Sequence, residues 1–300
     1  MKVLILYNPR AGRCRAHKHS SKLLKVINRS YLHVTVTEYA SNSIEDMHKY
    51  LLTIDRSIDV IVVIGGDGTL GPTVNALLQN NIDIPVYCYG RGTANDFASF
   101  MKTNCRPRRA AKIITANKTS LVDTLLVNES TYAINVACGG AFTNGVTRYN
   151  KKSKRIFGKL AYMTHAAWIA LRLKSQAVEF TIDGDTVQLN VYLFYILNSK
   201  NVGGLRNSCP VSSISDGVLD LICIKKCGFF GKVSVAVSQL RGRMHLNKNV
   251  VHKCGRDFFV NPVGDITPNF TLTDTDGNSA DPYPLRVTVG RQIRVVHKNN

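Results

Sequence analysis

Asp59-Val60-Ile61-Val62-Val63-Ile64-Gly65-Gly66-Asp67-Gly68-Thr69-Leu70-Gly71-Pro72-Thr73 joins a continuous apolar run to a glycine-rich turn. Val60 to Ile64 are all β-branched, the pattern of a strand covered on both faces. The run stops at Gly65-Gly66-Asp67-Gly68-Thr69, and Pro72 presets the φ expected of a first helical turn. Such a strand, turn and helix start let backbone N–H groups approach phosphate oxygens without a Cβ in the way, and the helix N-terminus adds partial positive charge. Asp67 is the odd residue among those amides. A carboxylate repels a bare phosphate, so a divalent cation or a bound water network is expected between them. The segment alone supports two readings, because Gly66-x-Gly68-x-x-Gly71 also satisfies the dinucleotide fingerprint, with Arg91 placed to suit an NADP phosphate. A glycine turn that binds nothing is the plain alternative to both.

Outward from this stretch the same unit recurs. Val3 to Tyr7 reads as a buried strand broken by Asn8-Pro9-Arg10-Ala11-Gly12, followed by helical spacing through Lys22 to Ile27. Val34-x-Val36 alternates as an edge strand ending at Thr37-Glu38, and Ser43 with Asp46 forms a capping box for a helix over 44–54. Pro85 to Tyr89 is the next strand, opening into the loop Gly90 to Ala98. Strands alternating with helices predict a doubly wound parallel α/β domain over 1–122, with ligands at the carboxyl ends of its strands.

From Leu121 the rhythm becomes mainly antiparallel β: strands are expected at 121–127, 132–138, 178–182, 187–197, 218–224, 258–260 and 270–272. Helices are expected at 157–173 and 229–241. This second, β-rich domain covers 123–284, and strands at 285–289 and 293–296 remain open to closing either half.

Three hundred residues suffice for two such domains, each with its own core. Lys and Arg number 39 against 20 acids, and the net charge of +19 calls for an anionic partner. Nucleic acid, an acidic membrane face and a phosphorylated ligand all qualify, but there is no recognition-helix motif or aromatic RNA platform, so nucleic acid is set aside. The eight cysteines are scattered, without zinc-ribbon or C-x-x-C redox spacing. They read as reduced thiols of a cytosolic chain with no metal held by thiolates. The apolar start is too short for a signal peptide and no apolar stretch spans a bilayer, so the chain is expected to be soluble or to lie on a membrane. No acid occurs between Glu129 and Glu179 or between Asp220 and Asp257. Arg148, Lys151, Lys152, Lys154, Arg155 and Lys159 in the first gap abut a helix bearing Leu160, Tyr162, Met163 and Trp168. That combination suits an anionic bilayer surface, at about 1 kcal/mol per cation, and equally a core helix with a solvated flank.

Taken in order, Asn8 to Gly12, Thr37-Glu38, Gly65 to Thr69, Gly92-Thr93-Ala94-Asn95-Asp96-Phe97 and Asp216-Gly217-Val218-Leu219-Asp220 make the chain resemble the diacylglycerol kinase catalytic family, which includes bacterial diacylglycerol kinases and sphingosine and ceramide kinases. The glycine turn is shared with NAD kinases, whereas the Gly-Thr-x-Asn-Asp-Phe segment is similar to the lipid kinases, so the oxidoreductase reading recedes. The resemblance implies an ATP site at the mouth of the parallel sheet, between the domains. Its nucleotide-contacting positions fall on Asn8, Pro9, Arg10, Ala11, Gly12, Thr37, Gly65, Gly66, Asp67, Gly68, Thr69, Leu70, Gly71 and Thr93. It implies that Asp67, Asp96 and Asp123 organise magnesium and water around the phosphates, although Asp96 and Asp123 also fit as cap or turn acids. Ser213, Asp216 and Val218 match a second, structural magnesium site.

Three positions depart from the family's pattern. Leu70-Gly71-Pro72 stands where Leu-Asn is common, His165 where bacterial members can carry lysine, and Asn278 where a glutamate acts as general base. An amide cannot take that proton. Asp276 and Asp281 are the nearest carboxylates that could substitute. The expectation is a cytoplasmic, ATP- and Mg²⁺-dependent kinase, peripheral at the membrane, acting on diacylglycerol or a related lipid, with homodimer formation left open. The competing expectation is a silent member that binds nucleotide or anionic lipid as a regulator.

Overall fold

Four apolar runs of the first hundred residues form parallel strands: β1 (Lys2–Tyr7), β2 (Thr35–Ala40), β3 (Val60–Gly65) and β4 (Val86–Gly90). These belong to a computed structural model that describes residues 1–10, 14–140, 174–267, 270, 273–276, 278–280 and 283–298, without the side chains of residue 274 or residues 278–280. Helices α1 (Ala16–Ser30), α2 (Ile44–Thr53), α3 (Asp67–Gln79), α4 (Asp96–Phe100) and α5 (Pro107–Ala116) follow the strands. β5 is Thr119–Val122.

Every residue of β3 is buried, as a strand flanked on both sides and both faces requires. Val3, Ile5, Tyr7, Val60, Val62, Ile64, Tyr87 and Tyr89 share one core with Leu23 and Ile27 of α1 and Ile113 and Ile114 of α5. The intervening Leu4, Leu6, Ile61 and Val63 are buried as well. No residue of β2 is buried, because it is the sheet edge. Ser43 Oγ accepts the Asp46 amide at 3.1 Å and caps α2 as its spacing predicts.

The second unit is antiparallel. Its strands are β6 (Leu125–Val127), β8 (Val136–Gly140), β9 (Gln176–Ile182), β10 (Asp185–Leu197), β11 (Leu219–Lys225), β12 (Val250–Gly255), β13 (Asp257–Pro262), β14 (Thr273–Thr275), β15 (Asn278–Ala280) and β16 (Leu285–Val289). Between β6 and β8, the short β7 (Thr131–Ala133) groups with the first unit. Strand order is β15-β14-β8-β10-β9-β13-β16-β6, with β11 on β10 and β12 on β11. β10 pairs with β9 through its first half and with β8 and β11 through its second. Its burial changes from alternating to nearly continuous at that switch. α6 (Phe229–Leu240) follows β11.

A parallel α/β unit and an antiparallel β unit are therefore both present, with differences in detail. The run 121–127 is two strands, because it breaks at Asp123-Thr124, where Gln292 Nε2 donates to Asp123 Oδ1 (2.7 Å) and Thr124 Oγ1 donates to the Arg291 carbonyl (2.6 Å). The run 132–138 likewise divides between β7 and β8. Of the two C-terminal strands, β16 pairs with β13 and β6, while β17 (Ile293–Val296) lies parallel to β4 and antiparallel to β5. Pro72 sits in the interior of α3, since the helix already begins at Asp67. The helix expected at 157–173, with its basic flank, lies outside the described residues, as does the strand expected at 270–272 apart from the buried Phe270.

Leu23→Ala, which empties a fully buried position between α1 and the sheet, is expected to lower unfolding free energy by about 2–5 kcal/mol, and Ser43→Ala by about 1 kcal/mol. Urea denaturation monitored by circular dichroism checks both; equal effects would contradict this packing.

Candidate active site

The loops that follow β3 and β4 are packed backbone to backbone. A Cβ on Gly92 would stand 2.3 Å from Gly66 Cα, and one on Gly66 would stand 2.9 Å from Gly92 Cα. The Gly65 carbonyl accepts both the Arg91 (2.6 Å) and Gly92 (3.1 Å) amides, binding the second loop to the first. Asn95, in the left-handed region at φ 55°, closes the second loop on itself: Oδ1 accepts the Gly92 amide (2.6 Å) and Nδ2 donates to the Gly92 carbonyl (2.9 Å). Asparagine is among the few side chains that tolerate this backbone.

Asp67 joins the two loops. Its Oδ2 accepts the Asp96 amide (3.1 Å) and its Oδ1 the Phe97 amide (3.3 Å). These are the first N–H groups of α4, which have no intrahelical partner, so the carboxylate caps the positive end of that helix. Its charge is thereby balanced by protein dipoles before any cation is considered. Asp96 is buried at the first position of α4.

Because α3 starts at Asp67, its Thr69 and Leu70 amides already bond the Gly66 carbonyl, at 2.9 and 3.0 Å. Leu70 and Gly71 are buried in the helix. Within the stretch expected to contact nucleotide, Gly65 to Gly71, the Asp67 and Gly68 amides are helical N–H groups without an intrahelical acceptor. Nothing lies within 4 Å of the place a Gly68 Cβ would occupy, so this helix end is open. Beside it, Asn8, Gly68 and Thr69 line a recess with Ser41, Ser43, Ile44 and Pro72. Asn8 Oδ1 accepts the Arg10 amide (2.8 Å) and turns the chain after β1. The Ser41, Ser43 and Ile44 contributions were not legible in the sequence, because only the β2–β1–β3 order places the β2–α2 loop there.

Other predicted positions are dispersed. Pro9 and Arg10 follow Asn8 in the same turn, while Ala11 and Gly12 lie outside the described residues. Thr37 is exposed and opposite Leu4, mid-strand, about 10 Å of strand short of the β2 tip. Thr93 is exposed in the Gly92–Asn95 turn. Asp123 is buried against Gln292. Arg91 donates to the Gly90 (2.9 Å) and Cys105 (2.5 Å) carbonyls and lies 3.9 Å over the Tyr89 ring. A guanidinium so engaged does not suit the NADP phosphate of the dinucleotide reading.

In the antiparallel unit, Asp216 Oδ1 accepts the Val218 amide (3.2 Å), and Gly217 takes φ 70° in the turn that leads into β11. Ser213 and the exposed Asp216 belong to the same loop. Carboxylate and carbonyl oxygens there are a donor set that fits a hard cation. Asn278 opens β15 opposite Thr275. Asp276 is buried in the connecting turn, exchanging hydrogen bonds with Val136 through its amide (3.0 Å) and Oδ1 (3.0 Å). These bonds hold its amide and Oδ1 in the turn. Asp281 and His165 lie outside the described residues.

Known proteins resemble the chain in both of its units. A family profile described as the diacylglycerol kinase catalytic domain matches residues 2–127, and one described as the YegS C-terminal NAD kinase beta sandwich-like domain matches residues 136–297. The chain is 32% identical to a diacylglycerol kinase of Bacillus subtilis (strain 168) over 249 residues, 81% of this chain and 80% of that one. It is 24% identical to a diacylglycerol kinase of Staphylococcus aureus (strain MRSA252) over 302 residues, 99% and 92% of the two chains. A crystal structure of a diacylglycerol kinase from Bacillus anthracis str. Sterne superposes with a TM-score of 0.74 at 21% identity, covering 99% of this chain and 97% of that one. Another from that organism gives 0.81 at 22%, covering 99% and 95%. At those identities the two structures speak for the fold, while the profiles and the Bacillus subtilis relative carry the assignment: this chain belongs to the diacylglycerol kinase family of lipid kinases.

Proposed function

We propose that the chain transfers the terminal phosphoryl group of ATP, in the presence of Mg²⁺, to the hydroxyl of diacylglycerol or a related lipid. The observation that carries this reading is the N-terminus of α3, where a Cβ added at Gly68 would meet nothing within 4 Å and the Asp67 and Gly68 amides have no intrahelical acceptor. Amides and the helix dipole there stabilise phosphate oxygens, and the small recess beside Asn8 and Thr69 adds polar edges next to that helix end. Asp67, held by α4, and Asp96 beside it supply oxygen ligands, and Ser213, Asp216 and Val218 a second set. When bound, Mg²⁺ neutralises phosphate charge and aligns the transferring group. Phosphoryl transfer through a loose transition state relies on positioning and charge more than on a strong base, so Asn278 predicts a slow kinase.

The second reading, a silent member that senses nucleotide or anionic lipid, is favoured by one observation: Asn278 lacks a titratable oxygen and neighbouring Asp276 is committed to Val136.

We place the chain in the cytoplasm and peripheral to an anionic membrane. Among the described residues no helix is long and apolar enough to cross a bilayer. α6 instead exposes Phe229, Phe230 (85% exposed), Val233, Val237 and Leu240 along one face, in a segment rich in Lys and Arg and free of acids from 221 to 256. An apolar helix face with cationic flanks is the pattern of an interfacial helix.

Three outcomes follow. Gly68→Ala is expected to leave the melting temperature unchanged or higher, since helix propensity favours alanine by about 1 kcal/mol, yet to weaken ATP·Mg²⁺ binding by about tenfold or more in calorimetry; Gly92→Ala should instead destabilise the fold, and unimpaired binding by Gly68→Ala would remove the helix end from the site. With labelled ATP and mixed membrane lipids, wild type is expected to give a slow labelled lipid product, Asp67→Asn none, and Asn278→Glu a rate raised by about 10²-fold or more; ATP binding with no lipid product from wild type would favour the regulator. Phe230→Asp should reduce sedimentation with anionic vesicles by about tenfold without changing the circular dichroism spectrum, and undiminished sedimentation would exclude α6 as the docking element.

A further inference from the structure

A polar cluster unrelated to the phosphate-binding loops sits in the antiparallel unit. β11 and β12 pair so that Asp220 is opposite Cys254 and Ile222 opposite His252. Residues two apart on a strand share a face, so Asp220, His252 and Cys254 project to the same side. The loop between β10 and β11 brings Cys209 onto that side, where it is fully buried in a core with Ile222, Val235, Met244 and Val250. Its place is set by the Ser208 and Cys209 amides, both of which bond the Lys200 carbonyl (2.7 and 3.3 Å).

Cys209, Asp220 and His252 offer donor atoms that all lie within 4.8 Å of one another, and Cys254 stands beside them. His252 Nε2 lies 2.6 Å from Asp220 Oδ1, 3.7 Å from Cys209 Sγ and 3.6 Å from Cys254 Sγ, and Cys254 Sγ lies 3.3 Å from Asp220 Oδ1. Tetrahedral zinc, with Zn–S about 2.3 Å and Zn–N and Zn–O about 2.0–2.1 Å, puts sulfur about 3.5 Å from a nitrogen or oxygen ligand and nitrogen about 3.3 Å from oxygen. The three sulfur edges just given agree with that polyhedron to about 0.2 Å, the histidine–aspartate edge must open by about 0.7 Å, and the two thiols must draw together around the ion, because Cys254 stands outside the group whose donor atoms all lie within 4.8 Å of one another. Burial, and next the Asp220 charge, push the Cys209 thiol up to about 12 and the Cys254 thiol up to about 11. A divalent cation offsets both effects. Cys254 is exposed, which gives an ion a way in. Nearby, the His245 ring meets His252 edge-on with centroids 6.2 Å apart, and its buried Nδ1 has no hydrogen-bond partner.

We propose that Cys209, Asp220, His252 and Cys254 form a structural site for a thiophilic divalent metal, zinc in the first instance, clipping the β10–β11 loop to the β11–β12 hairpin. Two thiolates and an imidazole select zinc over magnesium, so the site is chemically distinct from any Mg²⁺ the kinase reaction uses. Spacing alone conceals it: only His252-x-Cys254 is local, and strand pairing supplies the rest.

The full chain, stripped with a chelator and dialysed, is titrated with Co²⁺ and then Zn²⁺. The expected result is one ion per chain, a thiolate-to-cobalt charge-transfer band abolished by Zn²⁺ and untouched by excess Mg²⁺, and a thermal midpoint raised by zinc. Cys254→Ser, an exposed position that need not disturb the core, should weaken zinc binding by more than the 10–100-fold typical of an outer-shell change, and His252→Gln should do the same. A cobalt complex without the thiolate band, no retained metal, or unchanged affinity in Cys254→Ser would each overturn the assignment.

Discussion

The bond between the Asp67 carboxylate and the first amides of α4 is the constraint on which the site geometry depends. It ties the loop after β3 to the loop after β4, and the contact of Gly66 with Gly92 leaves no room for either loop to shift alone. One carboxylate thus serves two purposes. It satisfies helix-end donors that would otherwise be orphaned, and it holds a negative charge beside the open end of α3. Removing the charge while keeping an acceptor separates these purposes, whereas truncating the side chain loses both.

The rigidity has a physical origin in the sheet. β3 and β4 are buried throughout and pair in parallel register up to Gly65 and Gly90, so both loops leave the sheet at the same level. α3 begins immediately after this point, which brings the open helix end to the strand tips where parallel sheets present their ligands. This helix end is where the proposed oligophosphate would be received, while the lipid acceptor is proposed from the family and from the exposed apolar face of α6.

Much of this architecture was legible because it depends on local pattern. The β-branched run of β3, the apolar start of β1 and the Ser43–Asp46 box each form what their spacing specifies. What stayed hidden depends on contacts between distant segments. The break at Asp123-Thr124 follows from bonds to Gln292 and Arg291, and β12 carries His252, Lys253 and Cys254, a polar run that no alternation rule assigns to a strand. Pro72 reads as a helix start because proline favours that place, but Asp67 and the Gly66 carbonyl begin the helix earlier. The thiol and imidazole cluster was illegible for the same reason: its residues meet only once β11 and β12 are paired.

The central claim is that amides at the start of α3, held in place through Asp67, receive the phosphates. A crystal structure of the chain soaked with a non-hydrolysable ATP analogue and Mg²⁺ tests it most directly. The account predicts phosphate oxygens within hydrogen-bonding distance of the Asp67 and Gly68 amides. Nucleotide bound elsewhere, with that helix end bare, would contradict it.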